Sequence, residues 1–178
     1  MKPLRLSALF LLCAGMATAS VRAQQGRQDV LTQAQQQKIA EAGIDADLRI
    51  GLYTKYVGEH ADRIRRLAGR TEAGMGRAMD RELGDFSSLV DELSSNLDEY
   101  GGRMADMRKA LNKLDKEIPR WQQMMKSLPN NSAYQISRDD ATGALSDLAD
   151  QTRQLTHQED AYFKEHKDAK GQQWEEPK

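Results

Sequence analysis

Residues 79–128, MDRELGDFSSLVDELSSNLDEYGGRMADMRKALNKLDKEIPRWQQMMKSL, decide the fold of this chain. Within them Met79, Leu83, Phe86, Val90, Leu93, Leu97, Tyr100, Met104, Met107, Leu111, Leu114, Ile118, Trp121, Met125 and Leu128 follow in steps that alternate four and three without exception. That is the a/d spacing of a heptad repeat, and the residues between are mostly Asp, Glu, Lys, Arg, Ser and Asn. If each position were independently apolar at the chain's 39%, fifteen in succession would have odds on the order of one in a million.

Two features interrupt a simple helix. Gly101-Gly102 costs roughly 2 kcal/mol relative to alanines, and Pro119 roughly 3 kcal/mol in a helix interior. A turn at the glycines gives helices of about 77–100 and 103–128. A continuous helix has a soft point there, a kink at Pro119 and a length on the order of 75 Å. The seam keeps its phase across the glycines, and Glu99 and Arg103 stand at i,i+4 in the favourable order. Both features favour the continuous helix.

Outward from the seam, Ile50, Tyr53, Val57, His60, Ile64 and Leu67 repeat the spacing, after cap candidates Asp45 and Asp47 and before Gly69. Downstream, Ala141, Leu145, Leu148, Thr152, Leu155 and Tyr162 line one face of a helix entered near Ser132 or Ser137. Gly69 to Gly76 and Pro129-Asn130-Asn131 are the breaks. The expected fold is all-α, with long antiparallel helices and a coiled-coil-like heptad seam. It has three long helices plus a short N-terminal one, or forms a four-helix bundle if broken at Gly101-Gly102.

Composition agrees. Aromatics are 6% of the 178 residues, and the 26 basic and 27 acidic side chains nearly balance, which excludes a strongly basic nucleic-acid binder. At the N-terminus, Lys2 and Arg5 precede the apolar run Leu6 to Ala19, followed by Ala17-Thr18-Ala19 and Val21-Arg22-Ala23. These are the parts of a secretory signal peptide over 1–23, cleaved after Ala19 or Ala23. Phe10-Leu11-Leu12 before Cys13 do not make a lipobox. Loss of 1–23 removes Lys2, Arg5, Arg22 and the single cysteine, leaving an acidic chain without disulfide chemistry. A flexible 24–30, a helical domain over 31–167 and a disordered, polar 168–178 complete the organisation, and the product is expected to be periplasmic or secreted.

Leu31-Thr32-Gln33-Ala34-Gln35 has the spacing of a helix-capping box, with Thr32 and Gln35 exchanging hydrogen bonds and Leu31 as the staple residue. The same string resembles the LTxxQ motif of Spy/CpxP-like periplasmic chaperones and stress sensors. That resemblance implies a helical cradle for unfolded clients. A second copy is usual in those proteins, and Leu155-Thr156-His157-Gln158 misses it by one position. The opening Leu31 to Gly43, then Leu48-Arg49-Ile50-Gly51-Leu52-Tyr53, then the long seam, also resemble a group of exported bacterial helical proteins. No activity comes with that likeness.

Chemistry is sparse. Beyond residue 23 there is no cysteine nucleophile, Gly-x-Ser-x-Gly elbow, phosphate loop or His-Glu-x-x-His, and an enzyme is not expected. None of His60, His157 and His166 has an acid three residues before it, so no metal site and no cofactor is expected. Glu159 and Asp160 read as surface charges, as do the pairs Asp91-Glu92 and Asp139-Asp140. A haem or metal carrier would use Met79 or Met104 with His157 or His166, non-covalently, since Cys-x-x-Cys-His is absent. Arg63, Arg65, Arg66 and Arg70 form the one basic cluster and the candidate interaction surface. The sequence thus points to an exported helical protein acting by protein–protein contact or self-association. A Spy/CpxP-like chaperone and a four-helix-bundle haem or metal carrier are the alternatives.

Overall fold

A computed structural model describes residues 30–70, 72 and 74–167. The signal peptide read over 1–23, the flexible stretch 24–30 (Val30 apart) and the tail 168–178 lie outside the described residues. The described chain forms helices α1 (Gln33–Glu41), α2 (Ala46–Ala68), α3 (Met75–Gly102), α4 (Arg108–Ser127) and α5 (Gln135–Glu165), with no strand among the described residues.

The starts of α1 and α2 are written locally. Thr32 caps α1 and its hydroxyl accepts the Gln35 N–H, while the Gln35 side chain accepts the Thr32 N–H at 2.8 Å. Leu31 is buried beside it. Asp45 caps α2 through the Leu48 N–H at 2.9 Å. At α5 neither Ser132 nor Ser137 is the cap. Tyr134 holds that place, and Asn131 Oδ1 accepts the Ala133 N–H just before it.

The long helices form a ring in which α2 packs on α3, α3 on α5, α5 on α4 and α4 on α2, while α1 lies on α2. Side-chain pairs set the directions. Tyr53 with Glu92 and Arg63 with Glu82 make α2 and α3 antiparallel. Ser137 with Asp80 and Gln151 with Asp98 make α3 and α5 parallel. Consecutive helices therefore run in opposite directions, yet α3 and α4 face each other across the diagonal of the ring, and only large side chains bridge it. Phe86 and Trp121 meet edge-on there, 6.2 Å between centroids. Fourteen of the fifteen seam residues are buried in this core; Met104 is the half-exposed exception.

The continuous central helix is not what forms. α3 stops at Gly102, and the chain turns through 103–107 before α4 begins. Ala105 N–H donates to the Tyr100 carbonyl and Met104 N–H to the Gly101 carbonyl, both at 3.1 Å, with Met104 in the left-handed region at φ 54. This is a Schellman ending with methionine where glycine is usual. The seam keeps its phase through the turn for a tertiary reason. The connection crosses the diagonal of the bundle, and Ala105 and Met107 fold inward to close the end of the core. Gly101 is explained by packing as well, since a Cβ there would stand 2.5 Å from Leu155 Cδ2 on α5.

Pro119 does not end α4. Its ring and Asp115, whose carbonyl loses its donor, are both exposed, so water can satisfy that oxygen.

Candidate functional site

Three polar clusters sit on this frame. The first is the arginine end, where α2 finishes and α3 begins. The sequence groups Arg63, Arg65, Arg66 and Arg70, and the structure divides them. Arg63 turns inward and its Nε donates to Glu82 Oε1 at 2.7 Å. Arg65 pairs with Asp62 one turn back at 2.7 Å. Arg66 and Arg70 are exposed, and among the described residues no carboxylate pairs with either. The first turns of α3 add Arg77 and Arg81, exposed and equally without an ion-pair partner among the described residues. The basic surface thus loses Arg63 to the interior and gains two arginines from the next helix. Ile136 starts α5 at this same end and is 77% exposed.

Beneath it lies a contact between two helices, which the spacing along either one alone does not reveal. His60 is buried, and its Nδ1 stands 2.6 Å from Glu82 Oε1, with the oxygen off the line of a straight hydrogen bond. Asp85, one turn beyond Glu82, completes a trio whose ligand atoms lie within 4.8 Å of one another. His60, Glu82 and Asp85 are the residues that could hold a cation. The Arg63 guanidinium also sits on Glu82 Oε1. Burial pushes the Glu82 carboxyl up, but the contacts from His60 and Arg63 outweigh it and hold the group below the usual carboxylate range. Glu82, paired with Arg63 and facing His60, thus joins α3 to α2.

The second cluster links α2 and α3 at mid-length. Tyr53 OH donates to Glu92 at 2.7 Å, Arg49 donates to Asn96 Oδ1 at 3.0 Å, and Asn96 donates back to the Glu92 carbonyl. Burial, then the bond to Glu92, pushes the Tyr53 phenol up to about 12. Glu92 thus binds Tyr53 and is more than a solvated charge. Tyr56 is also buried, but its hydroxyl has no hydrogen-bond partner among the described residues.

The third cluster lies at the opposite end, around the first turn of α4, and overturns the surface reading of Glu159. That residue is 2% exposed, and its carboxylate accepts the Met107 N–H at 3.0 and 3.3 Å. Asp47 accepts the Ala110 N–H at 2.9 Å, and Asp106 grips Arg108 through both oxygens. The inward line of α5 runs Leu148, Thr152, Leu155, Glu159, Phe163. The same spacing rule, followed past Leu155, leads to Glu159 and then to Tyr162, whereas the structure buries Phe163, one residue further on.

The other sequence candidates do not come together. Leu31, Thr32 and Gln35 form the capping box, and Gln35 also donates to Glu59 at 3.0 Å, tying α1 to α2. Met79 is buried, whereas His157 and His166 are exposed and the His166 ring stacks on Tyr162 at 4.3 Å. Met79 lies at the arginine end of the bundle and is not paired with either histidine. Compared with known proteins, the chain matches no family model, no curated protein and no solved structure.

Proposed function

We propose that this chain is a non-enzymatic, exported helical protein that acts through protein–protein contact, with the arginine end of the bundle as its contact face. The observation that supports this reading is the group Arg66, Arg70, Arg77 and Arg81. All four are exposed and none is ion-paired among the described residues, whereas Arg63, Arg65, Arg103, Arg108, Arg120, Arg138 and Arg153 each reach a carboxylate. A guanidinium presents five donors in a fixed fork that matches a carboxylate, so the fitting partner is an acidic protein surface. Ile136 adds an apolar contact beside the charges. Export rests on the charged, apolar and small-residue order of 1–23. No helix among the described residues is long and apolar enough to cross a membrane.

The test is a cross-linking pull-down from the native cell envelope with the wild-type chain and with Arg66→Glu/Arg70→Glu/Arg77→Glu. Partners captured by the wild type and lost by the triple variant, with folding intact by circular dichroism, support the contact face. An identical set of partners from both proteins removes it.

A further inference from the structure

The first turn of α4 is not capped by its own N-cap residue. Met107 stands at its N-cap position and makes no side-chain capping bond. The orphan N–H groups of a helix start must find acceptors. Asp106 just before the helix takes the Arg108 N–H at 3.4 Å, and two other helices supply further acceptors. Glu159 of α5 takes the Met107 N–H, and Asp47 of α2 takes the Ala110 N–H. Asp106, on the connection itself, holds Arg108, whose guanidinium lies 4.3 Å from the centre of the Phe163 ring. Three carboxylates from three elements thus converge on one helix start. The one among them that is fully buried, Glu159, is also the one that fastens the diagonal connection to α5.

We propose that Glu159 is a proton-operated latch on the α3–α4 connection: protonated, it fastens the start of α4 to α5, and ionised, it loosens that end of the bundle. The charged groups that act on it come from three elements: Asp106 of the connection, Arg108 of α4 and Asp47 of α2. Asp45 and Lys109 in turn act on Asp47, and Asp160 acts on Arg108. Burial pushes the Glu159 carboxyl up to about 7, Asp106 and Asp47 push the same way, and the Met107 N–H and Arg108 pull against them. Ionising a buried carboxyl beside two further acids disfavours the closed arrangement. The opened chain, with Glu159 in water, ionises at the usual carboxylate pH near 4.5. Closure is therefore most favoured below about 4.5, weakens as pH rises to about 7, and changes little above that on account of this group.

The latch lies at the end of the bundle away from the arginine face, so it stands or falls independently of the contact-face proposal. Amide hydrogen exchange, corrected for intrinsic rates, is compared at pH 5 and pH 8 for the wild type and Glu159→Gln. In the wild type, protection of residues 103–110 falls by on the order of tens-fold from pH 5 to pH 8, while the arginine end changes far less. In Glu159→Gln, which keeps an acceptor and cannot ionise, the drop is absent. Equal wild-type protection at both pH values, or the same drop in the variant, overturns the latch. If the variant does not fold, ¹³C titration of the Glu159 side-chain carboxyl in the wild type decides: a midpoint near 7 supports the latch, and one near 4.5 overturns it.

Discussion

Gly101 on α3 and Leu155 on α5 are packed so closely that a Cβ on Gly101 would stand 2.5 Å from Leu155 Cδ2. Its neighbour Gly102 has nothing within 4 Å of the same imagined atom. The glycine pair therefore contains two residues with different jobs. One lets two parallel helices approach, and the other only weakens the last turn of a helix.

Substituting each with alanine separates them. Gly102→Ala should raise stability by up to about 1 kcal/mol, the helix-propensity gain at an unobstructed site. Gly101→Ala should lower it by about 1–3 kcal/mol, because Leu155 must leave its packed position. Urea unfolding of both variants checks the pair, and equal effects in the same direction would refute the packing role of Gly101.

Met104 holds a left-handed conformation at φ 54 that L side chains adopt at a cost of roughly 1–2 kcal/mol. Glycine carries no such penalty. Met104 is only half-buried, so Met104→Gly should stabilise by a few tenths to about 1 kcal/mol. A fall in melting temperature would show instead that the methionine contributes more through packing than its backbone costs.

The two tyrosines of α2 make opposite predictions. Tyr53 donates to Glu92, so Tyr53→Phe should cost about 1 kcal/mol, whereas Tyr56→Phe removes a buried, unpartnered hydroxyl and should gain about 1 kcal/mol. Chemical denaturation of both proteins at pH 7 provides the comparison. Tyr56→Phe proving as costly as Tyr53→Phe would mean that the Tyr56 hydroxyl is satisfied in solution.

Glu82 contributes to the acid sensitivity of the fold. Its carboxyl lies below the usual 4.5 in the folded chain, so the stability it contributes is fully present above about 4.5. That contribution is lost as pH falls through the folded value. Glu82→Gln should cost about 1–3 kcal/mol at pH 7 and flatten the decline between pH 5 and pH 3. Urea midpoints at pH 3, 4, 5 and 7 measure this. A variant that declines as steeply as the wild type would place the acid sensitivity elsewhere. Since Glu159 acts in the opposite sense at higher pH, the wild-type optimum should fall near pH 5.

The helical class and the main inward line of each long helix were legible because apolar spacing records which side of a helix faces inward. Buried residues beside those lines, such as Tyr56, Leu89 and Met124, were not. The break at the glycines was not, because a loop that crosses above a core carries the same apolar residues as a helix entering it. Met107 imitates the seam for that reason, while Ala105 takes the inward place that the seam spacing gives to Met104. Glu159 was hidden by its type: a carboxylate on an apolar line reads as a surface charge until the Met107 N–H from another helix comes into view. The Arg63–Glu82–His60 network was equally out of reach, since its members meet only when two helices pair. The capping box at Thr32 and Gln35 was readable because all its atoms lie within one turn of chain.

The crossing at 103–107 also bears on how this chain can be altered. Most connections between helices accept a few added residues, and the α2–α3 connection between adjacent helices, 69–74, is a natural place for a tag or a new chain terminus. The 103–107 segment is different in kind. It spans the bundle's width, lids its interior and presents the amide that Glu159 holds, so its length is as constrained as that of a helix. Lengthening it by even one residue would change the register of α4 against both neighbours at once.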